Sequence, residues 1–148
     1  MRTTLFLRIA SVLTLVHAVL HTIGGVFGGA APGAQQAAVT AMQINQFQVM
    51  GVTRTFWDFY MGLGLAGSVS MTVEAVVFWQ LSSLAKTDAL RLRPVLATFL
   101  IGFLGVAVVS YRYFFVAPVI AEILIALCLG LAIASARQGA GVGQRAVA

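Results

Sequence analysis

His17 and His21 stand one helical turn apart inside an apolar run that starts near Leu5. A titratable group in a segment of that kind is costly and usually has a function. Side chains four apart lie one above the other on a helix, so both imidazoles share a side with Ala10, Thr14, Gly24 and Gly28. A stripe of small and polar residues marks the face turned toward other helices, while Leu, Val, Ile and Phe on the remaining faces suit lipid. The histidines are therefore expected to point into protein.

Other chemistry-bearing residues are few. Asp58 and Tyr60 open a second apolar run, Arg112 closes a third, and Glu122 stands near the start of a fourth. Antiparallel helices would bring these groups, with His21 and the deeper His17, to one end of a bundle, within reach of Tyr111 and Tyr113. Arg112 and Glu122 lie five residues either side of Ala117, so a tight hairpin is expected to pair them. Glu74 is a second intramembrane carboxylate, at the opposite end, suited to accepting a proton, anchoring a ligand or bonding between helices.

Three chemistries could use the His17, His21, Asp58, Tyr60, Arg112 and Glu122 group. His17 and His21 have the spacing of helical zinc ligands, with Glu122 or Asp58 as a third, but the Glu of the HExxH motif is missing and a metal is not expected. Two axial haem histidines must sit on opposite sides of the porphyrin, which neighbours on one helix face cannot do, so a haem would have a single axial His. A hydrophobic small molecule (quinone, sterol-like lipid or isoprenoid) held among aromatics, its polar group met by a histidine or carboxylate, fits the residues best. Against all three stands a network in which His21, Asp58, Arg112 and Glu122 only satisfy one another. No cofactor and no catalytic residue can be assigned, and enzymatic activity stays open.

Two motifs mislead. Residues 62–67 read Gly-Leu-Gly-Leu-Ala-Gly and match the dinucleotide fingerprint, but no strand precedes them. These glycines are expected to let helices approach closely, with Gly64, Gly67, Ser68 and Met71 on one face leading toward Glu74. Cys128, the one cysteine, excludes an intrachain disulfide and reads as a small apolar residue.

The elements that must position these groups follow from composition. With 60% hydrophobic and 9% charged residues in 148, and mean hydropathy +0.98, the chain falls outside soluble globular composition. Each helical crossing takes roughly 20 apolar residues, so four spans fill it. They are drawn at about 5–26, 56–81, 94–113 and 117–136, as one transmembrane domain, with 139–148 a flexible tail. The first is read as a retained span because its apolar stretch is too long for a signal peptide. Trp57 and Trp79 bracket the second, roughly 33 Å apart at about 1.5 Å per residue, as two interfacial belts would require.

Arg2, Arg8, Lys86, Arg91, Arg93, Arg137 and Arg145 fall on one side of such a bundle, and only Arg54 and Arg112 on the other. This puts both termini in the cytoplasm. The net charge of +5 is scattered, so no nucleic-acid partner is expected. The long outer connection of residues 27–55 opens with Gly, Ala and Pro and continues as an uncharged Gln-rich stretch, expected to form a short helix, an irregular cap or a loose loop.

The expected fold is an all-α integral membrane four-helix bundle. It resembles small bacterial four-helix membrane proteins of the DoxX-like type, and more distantly the emopamil-binding (EXPERA) bundles, in span count, inside termini, long first outer connection and the polar residues His17, His21, Asp58 and Glu122. The DoxX-like resemblance implies an accessory or quinone-linked subunit of the bacterial inner membrane. The emopamil-binding resemblance implies a sterol-like ligand and proton-shuttling isomerisation. The partners expected are the bilayer, a hydrophobic small molecule, and a homo-oligomer or larger membrane complex.

Overall fold

A computed structural model describes residues 2–136. Most of the chain is helical, and four helical segments are long and apolar enough to cross a membrane: Arg2–Val26, Phe56–Asp88, Leu90–Tyr113 and Val116–Ser135. Helix α1 covers Arg2–Leu20 and continues as a π-helical turn over His21–Val26; α2 covers Ala34–Ile44. Strands β1 (Gln46–Val49) and β2 (Val52–Thr55) follow, then α3 (Phe56–Asp88), α4 (Arg93–Tyr113) and α5 (Val116–Ser135). Helices stand where the four spans are expected. The second is longer than expected, because Gln80 to Asp88 contains no helix breaker before the 3-10 turn at Leu90–Leu92. The expected tail at 139–148 lies outside the described residues.

The described residues form two compact units. One takes residues 2–17 and 72–136, the other Ala18–Met71. The first is a helical core in which Leu7 of α1, Phe78 of α3, Leu96 of α4, and Ile125 and Leu129 of α5 are fully buried. Phe78 meets Phe99 edge-on at 5.0 Å and Phe103 at 6.0 Å between ring centroids. Three hydroxyls inside this core satisfy backbone carbonyls. The Ser11 hydroxyl donates to the Ala75 carbonyl at 2.6 Å, Thr14 to Ala10 at 2.8 Å and Ser82 to Trp79 at 2.6 Å. A hydroxyl with no water to bond must find such an acceptor. Pro94 fits the first turn of α4, where its missing N–H costs nothing.

The second unit departs from the all-α expectation. The outer connection holds both α2 and a β-hairpin with Phe47 opposite Arg54 and Val49 opposite Val52. Its two-residue turn, Met50-Gly51, has φ of 48° and 84°. Positive φ at both positions matches the right-handed twist of the flanking strands, and the alternation Gln-Phe-Gln-Val supplies the period of two. Phe47 packs against Phe56 with ring centroids 4.8 Å apart and the rings tilted by 42°, and stacks on Phe59 at 5.9 Å, holding the hairpin to the start of α3.

Candidate functional site

The most unusual local geometry is the π turn at His21–Val26. Its i→i+5 bonding, seen in Phe27 N–H donating to the Thr22 carbonyl at 3.0 Å, widens the helix by one residue. Single π turns inside α-helices recur at functional sites. The widening alters which residues face inward: Ala10 and Thr14 are buried and His17 and His21 half-buried, as the stripe predicts, but Gly24 and Gly28 are exposed and Val26 is buried instead. Gly28 has its own reason to be glycine, since a Cβ there would run into the Gly24 carbonyl oxygen.

Across from the turn lies the Gly-Leu-Gly-Leu-Ala-Gly segment, well inside α3, and two of its glycines make the close approach expected of them. A Cβ on Gly64 would come within 2.9 Å of Val26 Cγ2, and one on Gly67 within 3.3 Å of His21 Nε2. Gly62 faces open space. The space left by these glycines lets His21 Nε2 reach the Gly64 carbonyl at 3.1 Å. A carbonyl only accepts, so Nε2 carries the proton in this contact and fixes the neutral tautomer. The Gly64 carbonyl also receives the Ser68 hydroxyl at 3.2 Å. Thr22 donates to the Ala18 carbonyl at 2.7 Å, with the Ser68 oxygen 2.8 Å away. Tyr60, with its ring stacked on Trp57 at 5.2 Å, donates its hydroxyl to the Gly25 carbonyl at 3.0 Å.

Asp58 is engaged in its own helix end. Its carboxylate accepts the Thr55 N–H at 2.8 Å and the Thr55 hydroxyl at 3.0 Å, while the Thr55 oxygen accepts the Asp58 N–H at 3.1 Å. This is a capping box that satisfies two donors at the start of α3. Arg54, Asp58, Phe59, Gly62 and Leu63 line an open groove of about 220 Å³.

In the other unit, Glu122 is 3% exposed and accepts the Ser110 hydroxyl at 2.7 Å on Oε1. Its Oε2 is buried with no hydrogen-bond partner among the described residues. The expected Arg112–Glu122 ion pair does not form; an ion pair is seen instead between Arg91 and Asp88, at 2.9 Å. The reason is angular. Residues two apart on a helix point about 200° apart, so when Ser110 faces α5, Arg112 faces away and is exposed. Glu74 is half-buried on α3, and His17 lies in this unit too, at the end of its α1 segment. An apolar groove of about 290 Å³ runs between α4 and α5, lined among others by Leu104, Ile123 and Gly130.

The expected site residues thus divide. His21, Asp58 and Tyr60 belong to one unit, and His17, Arg112 and Glu122 to the other. Among the described residues no group of three His, Cys, Asp or Glu side chains could hold a metal ion. Sequence reasoning missed Gly64 as the partner of His21, Gly67 as the residue that leaves the ring room, and Gly25 as the partner of Tyr60; for the first two the fingerprint glycines were the available signal. It also missed Ser110, which stands on the same face of α4 as Phe103 and Ala107. Compared with models of known protein families, with curated proteins and with solved structures, the chain matches none.

Proposed function

We propose that the chain is a multi-pass protein of the bacterial cytoplasmic membrane, with both termini inside, that binds a hydrophobic small molecule of the quinone, sterol-like or isoprenoid kind. The orientation rests on the Lys and Arg distribution, and the depth on Trp57 and Trp79 at the two ends of the apolar part of α3.

One observation carries the ligand reading. His21 is held by the Gly64 carbonyl at a π turn in an otherwise apolar span, with its second ring nitrogen not hydrogen-bonded among the described residues. Binding sites for apolar molecules are built in this way, from hydrophobic walls and one or two oriented polar groups. The polar end of the ligand meets His21, with Tyr60 beside it.

The test is purification in mild detergent followed by native mass spectrometry and optical spectroscopy of what remains bound. Wild-type protein retains an apolar molecule that a His21→Phe variant loses. A preparation with no bound molecule from either protein overturns the reading.

A second reading, an accessory subunit of a larger membrane complex, is favoured by the way several polar groups are used up internally: Asp58 in its cap, Ser11 on Ala75, and Ser110 on Glu122. Such contacts specify packing and need bind nothing. Under that reading a stoichiometric membrane partner co-purifies and His21→Phe leaves the assembly intact.

A further inference from the structure

Around the π turn the side-chain protons of His21, Ser68, Thr22 and Tyr60 are all engaged. His21 Nε2 and the Ser68 hydroxyl both serve the Gly64 carbonyl, at 3.1 and 3.2 Å. The Thr22 hydroxyl serves Ala18 at 2.7 Å, and the Tyr60 hydroxyl serves Gly25 at 3.0 Å. What remains toward Gly25 is acceptor capacity: the lone pair of His21 Nδ1 and those of the Tyr60 oxygen.

Gly25 keeps that capacity open. A Cβ at this position would stand 3.5 Å from His21 Nδ1, in ordinary contact with the ring atom. The glycine therefore leaves the acceptor nitrogen uncovered, while its own carbonyl receives the Tyr60 hydroxyl.

We propose that the bound molecule presents a hydrogen-bond donor to His21 Nδ1, so that the site selects hydroxyl-bearing apolar molecules (a hydroquinone, a phenol or a sterol-like alcohol) over their ketone, quinone or ether counterparts. A ligand carbonyl would set its lone pairs against that of Nδ1. A ligand hydroxyl donates to Nδ1 and leaves all four existing hydrogen bonds in place. This inference rests on the ligand reading and goes past it by fixing which polar group the ligand must carry.

The full chain in nanodiscs is titrated with para-octylphenol and with para-octylanisole, its methyl ether, each corrected for uptake by empty nanodiscs. The two probes share an apolar tail and differ in the one donor. The phenol should bind about tenfold more tightly than the ether, the size of one net hydrogen bond. In Gly25→Ala, where the new methyl covers Nδ1 without a clash, phenol affinity should fall to that of the ether. Equal binding of phenol and ether to the wild type overturns the donor inference and leaves the ligand reading standing. Binding of neither probe beyond empty nanodiscs overturns both. Unchanged phenol binding in Gly25→Ala overturns the assignment of Nδ1 as the acceptor.

Discussion

Ser110 on α4 donates its hydroxyl to the buried Glu122 carboxylate on α5 at 2.7 Å, and this bond, not an ion pair, joins the polar residues of these two helices. The hairpin that brings them together is tight: α4 ends at Tyr113 and α5 begins at Val116, with the Phe114 N–H closing α4 onto the Ser110 carbonyl at 2.9 Å. The same serine thus closes a helix through its backbone and holds a carboxylate through its side chain.

Removing that serine hydroxyl leaves Glu122 Oε1 buried without its donor, so Ser110→Ala should lower stability by about 1–3 kcal/mol. Replacing both polar groups, in Ser110→Ala/Glu122→Leu, should recover most of the loss, because an apolar pair needs no partner. Arg112→Gln should change stability by less than about 0.5 kcal/mol, as for other exposed side chains. Unfolding in mixed micelles with increasing denaturing detergent measures all three. A cost for Arg112→Gln as large as that for Ser110→Ala would show that the arginine holds the carboxylate after all.

The glycine segment of α3 gives an internal comparison. At Gly64 a methyl group would meet Val26 Cγ2 at 2.9 Å, and at Gly62 it would meet nothing within 4 Å. Gly64→Ala should therefore destabilise by about 1–3 kcal/mol through overpacking. Gly62→Ala should be neutral or stabilising by up to about 1 kcal/mol, the helix-propensity difference. Thermal melts followed by circular dichroism in the same detergent should fall for Gly64→Ala and stay level or rise for Gly62→Ala. Equal shifts would mean that the close approach of the π turn is not what Gly64 serves.

Much of this was legible in the chain because spans announce themselves by length. Twenty or more apolar residues between charged turns, with Trp57 and Trp79 bracketing the second, place four helices within a few residues. The hairpin was harder to see. Its turn is Met50-Gly51, where Asn-Gly would have been the recognisable signal, and its strands are four residues each. The π turn left no periodic trace, since an extra residue in a helix looks the same as the helix continuing. Of the candidate site, His21 and Tyr60 were legible as polar residues in apolar runs. Their partners are backbone carbonyls of glycines, which have no side chain to mark them. Asp58 was read as a ligand group although Thr55-x-x-Asp58 just before an apolar run is the signature of a cap.

That cap can be tested on its own. Thr55→Ala removes the acceptor for the Asp58 N–H, and Asp58→Ala removes the acceptor for the Thr55 N–H. Each should cost about 0.5–2 kcal/mol. Because the two side chains act reciprocally, the double variant should cost less than the sum of the singles. Hydrogen exchange at the first turn of α3 localises the effect, with faster exchange at residues 55–58 and none deeper in the helix. Strict additivity would mean that the two residues cap independently.

The tautomer of His21 offers the most direct check on the geometry at the π turn. With Nε2 on the Gly64 carbonyl at 3.1 Å, the neutral ring carries its proton there and Nδ1 is bare. Nitrogen NMR of protein labelled in the imidazole ring should show one protonated and one unprotonated nitrogen for His21, the protonated one being Nε2. Gly67→Ala intrudes on this arrangement, because a Cβ at that position would stand 3.3 Å from Nε2 and the ring must give way by a few tenths of an ångström. The carbonyl contact should lengthen, and the variant's ring should divide its proton between the two nitrogens, with a shifted and broadened Nε2 signal. Gly62→Ala, facing open space on the same helix, should leave the His21 spectrum unchanged. A wild-type spectrum with the proton on Nδ1 would remove the Gly64 carbonyl as the group that orients the ring, and the unchanged spectrum of Gly67→Ala would remove the glycine.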